Sequence, residues 1–123
     1  MDNQLKLFDA EYKFMCIVWE HEPINSTELS RLCEVALGWK KPTTYSMIKK
    51  LAGPGRGLLR NEKATVTALV AREDVQRHEA AVFMNRVFDG SMPSFITAFL
   101  QDNTLTDEDA QKIKAMIDEV TKK

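Results

Sequence analysis

Three of the chain's five glycines and one of its four prolines fall in five consecutive residues, Gly53-Pro54-Gly55-Arg56-Gly57. Proline has no N–H to donate, and glycine loses the most backbone freedom on entering a helix or strand, so no regular element continues through this stretch. The chain is therefore divided into two parts with different periodicities. Before the break, apolar side chains recur at helical spacing; directly after it they alternate. A phosphate-cradling loop is the other use of such a stretch, but that pattern needs a preceding strand and a Gly-Lys-Ser/Thr ending, and here the preceding pattern is helical. A turn is expected.

Upstream, residues 9–22 (DAEYKFMCIVWEHE) form a helical pattern ending before Pro23, with Asp9 placed to cap it and Glu11 in its first turn. Tyr12, Met15, Val18 and Trp19 recur at spacings of three and four, which makes one face apolar and assigns these aromatics to a core. A second helix starts at Asn25-Ser26-Thr27, presents Leu29, Leu32, Cys33, Ala36 and Leu37 on one side, and can end at Gly38 in a left-handed conformation. A third follows at once, with Pro42 in the first turn, where its missing N–H costs nothing. Projecting residues 42–53 at about 100° per residue places Thr44, Ile48, Leu51 and Ala52 on one arc, and Thr43, Ser46, Lys49, Lys50 and Gly53 on the other. Tyr45 and Met47 lie on the flanks.

Downstream, residues 58–70 (LLRNEKATVTALV) split into two short β-prone pieces around Asn61-Glu62-Lys63-Ala64, the pattern of a hairpin. Helix, helix, helix and hairpin, with a basic third helix, is the order of a winged helix-turn-helix. The rest is helical again: residues 72–88, then a break at Asp89-Gly90-Ser91, a helix capped by Ser91 with Phe95, Ile96, Phe99 and Leu100 on its apolar face, and a last helix opening at Thr106 with Ile113, Met116, Ile117 and Val120. The expected fold is mostly α with a small β-hairpin, divided into a winged helix-turn-helix DNA-binding domain at residues 1–70 and a helical dimerisation region at 71–123. Three amphipathic helices cannot bury their apolar faces alone, and the simplest cover is a second copy.

Charge distribution carries the functional argument. Residues 1–39 hold three basic and seven acidic side chains (−4), residues 40–70 seven and one (+6), and residues 71–123 seven and ten (−3). Positive charge concentrated in one short stretch is the footprint of a local phosphate-binding surface. The candidate DNA-binding set is Lys40, Lys41, Thr43, Thr44, Tyr45, Ser46, Lys49, Lys50, Arg60 and Lys63. Lys40, Lys41, Arg60 and Lys63 suit phosphates, while the hydroxyls of Thr43 and Ser46 and the lysine ammonium groups can meet base edges. Tyr45 suits a base, a phosphate or packing against the second helix equally well.

Other chemistries find little footing. Cys16 and Cys33 are too far apart for a CxxC motif and fit small core hydrophobes. His21 and His78 have no partner at metal-ligand or triad spacing, so no catalytic residue, metal or cofactor is expected. No apolar run approaches the roughly 20 residues that span a bilayer, and the N-terminus lacks a signal layout, so a cytoplasmic protein is expected.

Ala10-Glu11-Tyr12 through Val18-Trp19, Gly38-Trp39 with Thr43, Ser46, Met47 and Lys50, and Phe88-Asp89-Gly90-Ser91 together resemble the motifs of the penicillinase repressor family, the BlaI/MecI/CopY type. The resemblance covers nearly the whole chain. It implies a dimeric winged-helix repressor on operators of resistance genes, released when a membrane-bound sensor triggers proteolysis at an Asn-Phe pair in the C-terminal part. The matching pair here is Ala98-Phe99, with Ala98 where the family has Asn. The GPGRG connector is longer and the wing shorter than the family's usual ones, and the cysteine-rich ending of the copper-responsive branch is missing. On the residues alone, a winged-helix interaction module without specific DNA binding is the alternative, and a small enzyme is the weakest option.

Overall fold

The computed structural model describes residues 5–121. Within them run α1 (Asp9–His21), β1 (Ile24–Asn25), α2 (Ser26–Leu37), α3 (Lys41–Ala52), β2 (Leu59–Glu62), β3 (Thr65–Ala68), α4 (Arg72–Phe88), α5 (Met92–Asp102) and α6 (Asp107–Thr121). The chain forms two compact units, Met1–Val82 and Phe83–Lys123. The architecture is a winged helix followed by a helical region, as the patterns predict. The sheet has three antiparallel strands in the order β1-β3-β2. Ile24 pairs with Val66 and Asn25 with Thr65, so a two-residue strand missed in the sequence ties the α1–α2 connection to the wing.

The core of the first unit is built from Phe14, Met15 and Val18 of α1, Leu29 and Cys33 of α2, Ile48 and Leu51 of α3, Leu58, Leu59 and Val66 of the hairpin, and Val75 of α4. Leu32, Leu37, Tyr12 and Trp19 pack against it, whereas Ala36 and Ala52, assigned to core arcs by helical projection, are exposed. A methyl group offers little area to bury, so the larger neighbours set how each helix is turned. Cys16 and Cys33 are free thiols; burial pushes that of Cys33 up.

Caps explain most boundaries. Asn25 Oδ1 accepts from Thr27 N–H at 2.8 Å, Gly38 closes α2 at φ 72°, and Ser91 and Thr106 hydroxyls accept from Ser94 and Asp109 N–H groups at 3.2 and 3.1 Å. Asp9 is the exception: the cap residue is Phe8, and Asp9 is the first helical residue, paired with Lys13 at 3.2 Å. The Glu11 carboxylate instead reaches back to the Phe8 N–H at 3.0 Å. Gly53-Pro54-Gly55-Arg56-Gly57 is a turn, with Gly55 at φ 90°, and Leu58 N–H returns to the Leu51 carbonyl at 3.0 Å.

In the second unit, Phe83, Phe88, Phe95 and Phe99 form a chain of ring contacts with centroids 5.5–6.4 Å apart. Helices α5 and α6 nonetheless bury none of their described residues. Met92, Ile96, Phe99, Leu100, Ile113, Met116, Ile117 and Val120 are all exposed. Among the described residues no helix is long and apolar enough to cross a membrane.

Candidate nucleic-acid interface

The α2–α3 turn is what presents α3. Gly38 turns the chain left-handed, and Trp39 stacks on Phe14 of the core at 5.9 Å, nearly parallel, which anchors the start of the next helix. Helix α3 then opens with Pro42 in its first turn and with no side-chain cap at Lys40. Its N-terminal end carries the positive pole of the helix dipole and two exposed lysines, Lys40 and Lys41, an arrangement suited to an anion.

Along α3, Thr44, Ile48 and Leu51 point into the core, and Thr43, Ser46, Lys49 and Lys50 are exposed. Thr44 is a correction to the predicted contact set: at 0% exposure its side chain cannot reach a ligand. Tyr45 is partly buried against the core, its hydroxyl 3.4 Å from Thr27 Oγ1 of α2, and that neighbour lowers the phenol below its ordinary value. Arg60 and Lys63 are exposed on the wing, Arg60 within 3.8 Å of Glu62 and Lys63 at the hairpin tip with φ 53°. A groove lined by Tyr45, Ile48, Lys49, Ala52, Gly53 and Asn61 runs between α3 and β2.

Lys50 is exposed but occupied. Its Nζ lies 2.9 Å from Glu11 Oε2, and Glu11 is 1% exposed on α1. Arg56 of the connector donates to the same carboxylate through Nη1 at 3.1 Å and Nη2 at 3.0 Å. Burial alone would raise the Glu11 pKa, but the bonds from Arg56, from Lys50 and from the Phe8 N–H outweigh it and bring the value down to about 2.

Ala98 and Phe99 are exposed on α5. Among the described residues no group of three or more His, Cys, Asp or Glu side chains is placed to hold a metal ion. His21 Nδ1 lies 2.9 Å from the Ile17 carbonyl of its own helix.

Compared with known proteins, residues 7–119 match the sequence model of the penicillinase repressor. The chain belongs to that family. It is 24% identical over 118 residues to the penicillinase repressor of Bacillus licheniformis, covering 93% of this chain and 91% of that one. The methicillin resistance regulatory protein MecI of Staphylococcus aureus is 20% identical over 122 residues, covering 95% and 98%. The penicillinase repressor of the same organism is 18% identical over 126 residues, covering 99% and 98%.

In this family member the contributions of Glu11 and Arg56 to the surface went unseen in the sequence. A signal for Glu11 was present: it sits at i with Phe14, Met15 and Val18 at i+3, i+4 and i+7, the place of an apolar residue on the buried stripe. A carboxylate there needs cationic partners, and Lys50 and Arg56 supply them.

Proposed function

We propose that the chain is a cytoplasmic transcriptional repressor that binds palindromic operator DNA as a homodimer, with residues 1–70 contacting DNA and 71–123 joining the two copies. The observation that carries this reading is the exposed arc of α3, where Thr43, Ser46 and Lys49 stand outward beside Lys40 and Lys41 in a chain matched to the penicillinase repressor over most of its length. In the major groove, the Thr43 and Ser46 hydroxyls can donate to or accept from base edges, and the Thr43 methyl can touch a thymine methyl. Lys40, Lys41, Lys49, Arg60 and Lys63 meet phosphates and release their counterions, and Tyr45 sits at the flank.

The dimer is supported by α5 and α6, which bury no described residue in the single chain. Apolar helix faces of this extent need cover, and a second copy supplies it while setting two α3 helices on one site. Relief by cleavage between Ala98 and Phe99 belongs to the same reading. The pair lies inside α5, so a sensor-linked protease has to unwind that helix to take it in extended form.

Fluorescence anisotropy with a duplex selected from a random-sequence pool tests the reading. Each of Thr43→Val and Ser46→Ala is expected to weaken specific binding roughly 2- to 10-fold, the range of one neutral hydroxyl hydrogen bond, and to leave non-specific binding unchanged. Full affinity in both variants would remove α3 as the reading element. Absent or salt-insensitive DNA binding by the wild type would favour the interaction module instead.

A further inference from the structure

The Glu11 cluster joins three parts of the chain that are far apart in sequence: α1, the last turn of α3 and the turn after it. Each carboxylate oxygen takes two donors. Oε2 accepts from Lys50 Nζ at 2.9 Å and Arg56 Nη1 at 3.1 Å, and Oε1 accepts from Arg56 Nη2 and the Phe8 N–H, both at 3.0 Å. That fills the four acceptor positions of a carboxylate. Arg56 Nη2 also donates to the Lys6 carbonyl at 3.2 Å. The Glu11 side chain is 1% exposed, against 21% for Arg56 and 53% for Lys50.

Lys49 and Lys50, though adjacent, leave α3 about 100° apart, on opposite flanks of the arc centred near Ser46. Lys49 lines the groove shared with Asn61 of β2, and Lys50 turns to α1. Both terminal nitrogens of Arg56 are already on Glu11. A Lys50 that swung to a phosphate would therefore leave an acceptor position on a water-excluded anion without its donor.

We propose that Glu11 is a positioning residue of the DNA-binding surface: it holds Lys50 on the α1 side of α3, so that Lys49 alone supplies the phosphate cation from that helix's last turn. This rests on the DNA-binding reading above. Held on Glu11, the Lys50 ammonium makes no phosphate contact, so it displaces no counterion from DNA on binding and adds nothing to the salt dependence. Removing the Glu11 charge frees Lys50 to become a phosphate contact.

The test is the slope of log affinity against log salt concentration, measured by anisotropy with the full chain and one selected duplex. Lys49→Ala is expected to reduce the slope by about 0.9, one phosphate contact, and Lys50→Ala to leave it at the wild-type value. Glu11→Gln is expected to raise it by about 0.9, and the double variant Glu11→Gln/Lys50→Ala to bring it back. A lower slope in Lys50→Ala, no rise in Glu11→Gln, or a rise that persists in the double variant overturns the proposal. If Glu11→Gln fails to fold, as seen in a circular-dichroism melt, the Lys49→Ala and Lys50→Ala pair still decides, because Lys50→Ala leaves Arg56 on Glu11. A wild type that binds no duplex overturns the function along with this inference, whereas a slope lost only in Lys50→Ala overturns the inference alone.

Discussion

Glu11 shows how one charged side chain can serve as a core residue. It shares the buried stripe of α1 with Phe14, Met15 and Val18, all at or below 1% exposure. Its pKa falls from the ordinary 4.5 to about 2 in the folded chain. A depressed pKa stabilises the fold above the unfolded value, and that contribution is lost as pH falls from about 4.5 through about 2. Glu11→Gln is accordingly expected to cost about 3 kcal/mol at pH 7, with the gap from wild type narrowing steadily toward pH 2 in urea titrations. A gap that stays constant over that range would contradict the ion cluster. Neighbouring threonines give a second prediction. Thr43→Val lowers operator affinity, while Thr44→Val, buried at 0% exposure, leaves it unchanged; equal losses in an anisotropy titration would contradict the assigned faces. Helical periodicity placed Thr44, Ile48 and Leu51 on the buried face of α3, because it depends only on residues within a few turns. It also placed the exposed Ala52 there, and it did not keep Thr44 out of the predicted contact set. The occupation of Lys50 was not legible, since it depends on partners such as Arg56 and Glu11, 45 residues apart, meeting in space.

Elements with local punctuation were legible for the same reason. Asn25, Gly38, Ser91 and Thr106 each act within three residues of themselves or fix their own backbone, and each stands at a helix end as the sequence predicts. Strand β1 was not legible: two residues carry no alternation, and their strand character comes only from pairing with β3. The wing turn holds stored strain. Lys63 and Ala64 both have positive φ, 53° and 63°, as a two-residue hairpin of this hand requires, yet neither is glycine. The Ala64 carbonyl accepts from Ser26 N–H at 2.8 Å, which ties that turn to the start of α2. Ala64→Gly relieves a left-handed alanine and is expected to raise stability by about 0.5–1 kcal/mol, read as a higher urea midpoint at unchanged m. A lower midpoint would mean that the turn does not need the left-handed form.

For the whole molecule, what was legible was an imbalance between apolar helix faces and the core available to cover them. In the second unit Met116, Ile117 and Val120 remain 63, 51 and 66% exposed. Because Ile117 is 51% exposed in the single chain, Ile117→Asp should leave the helical content intact while shifting micromolar protein from dimer to monomer in sedimentation velocity, with operator affinity falling in parallel. A wild-type monomer at that concentration would leave these faces without their assigned cover. The central claim, a dimer that reads DNA with the exposed arc of α3, is tested most directly by hydroxyl-radical footprinting of the wild type on a selected duplex across a salt series. Two protected half-sites related by a two-fold axis are predicted, their centres about 10 base pairs or a multiple apart, with protection fading between about 50 and 200 mM salt. No protection at any salt concentration, or a single unpaired site, would contradict it.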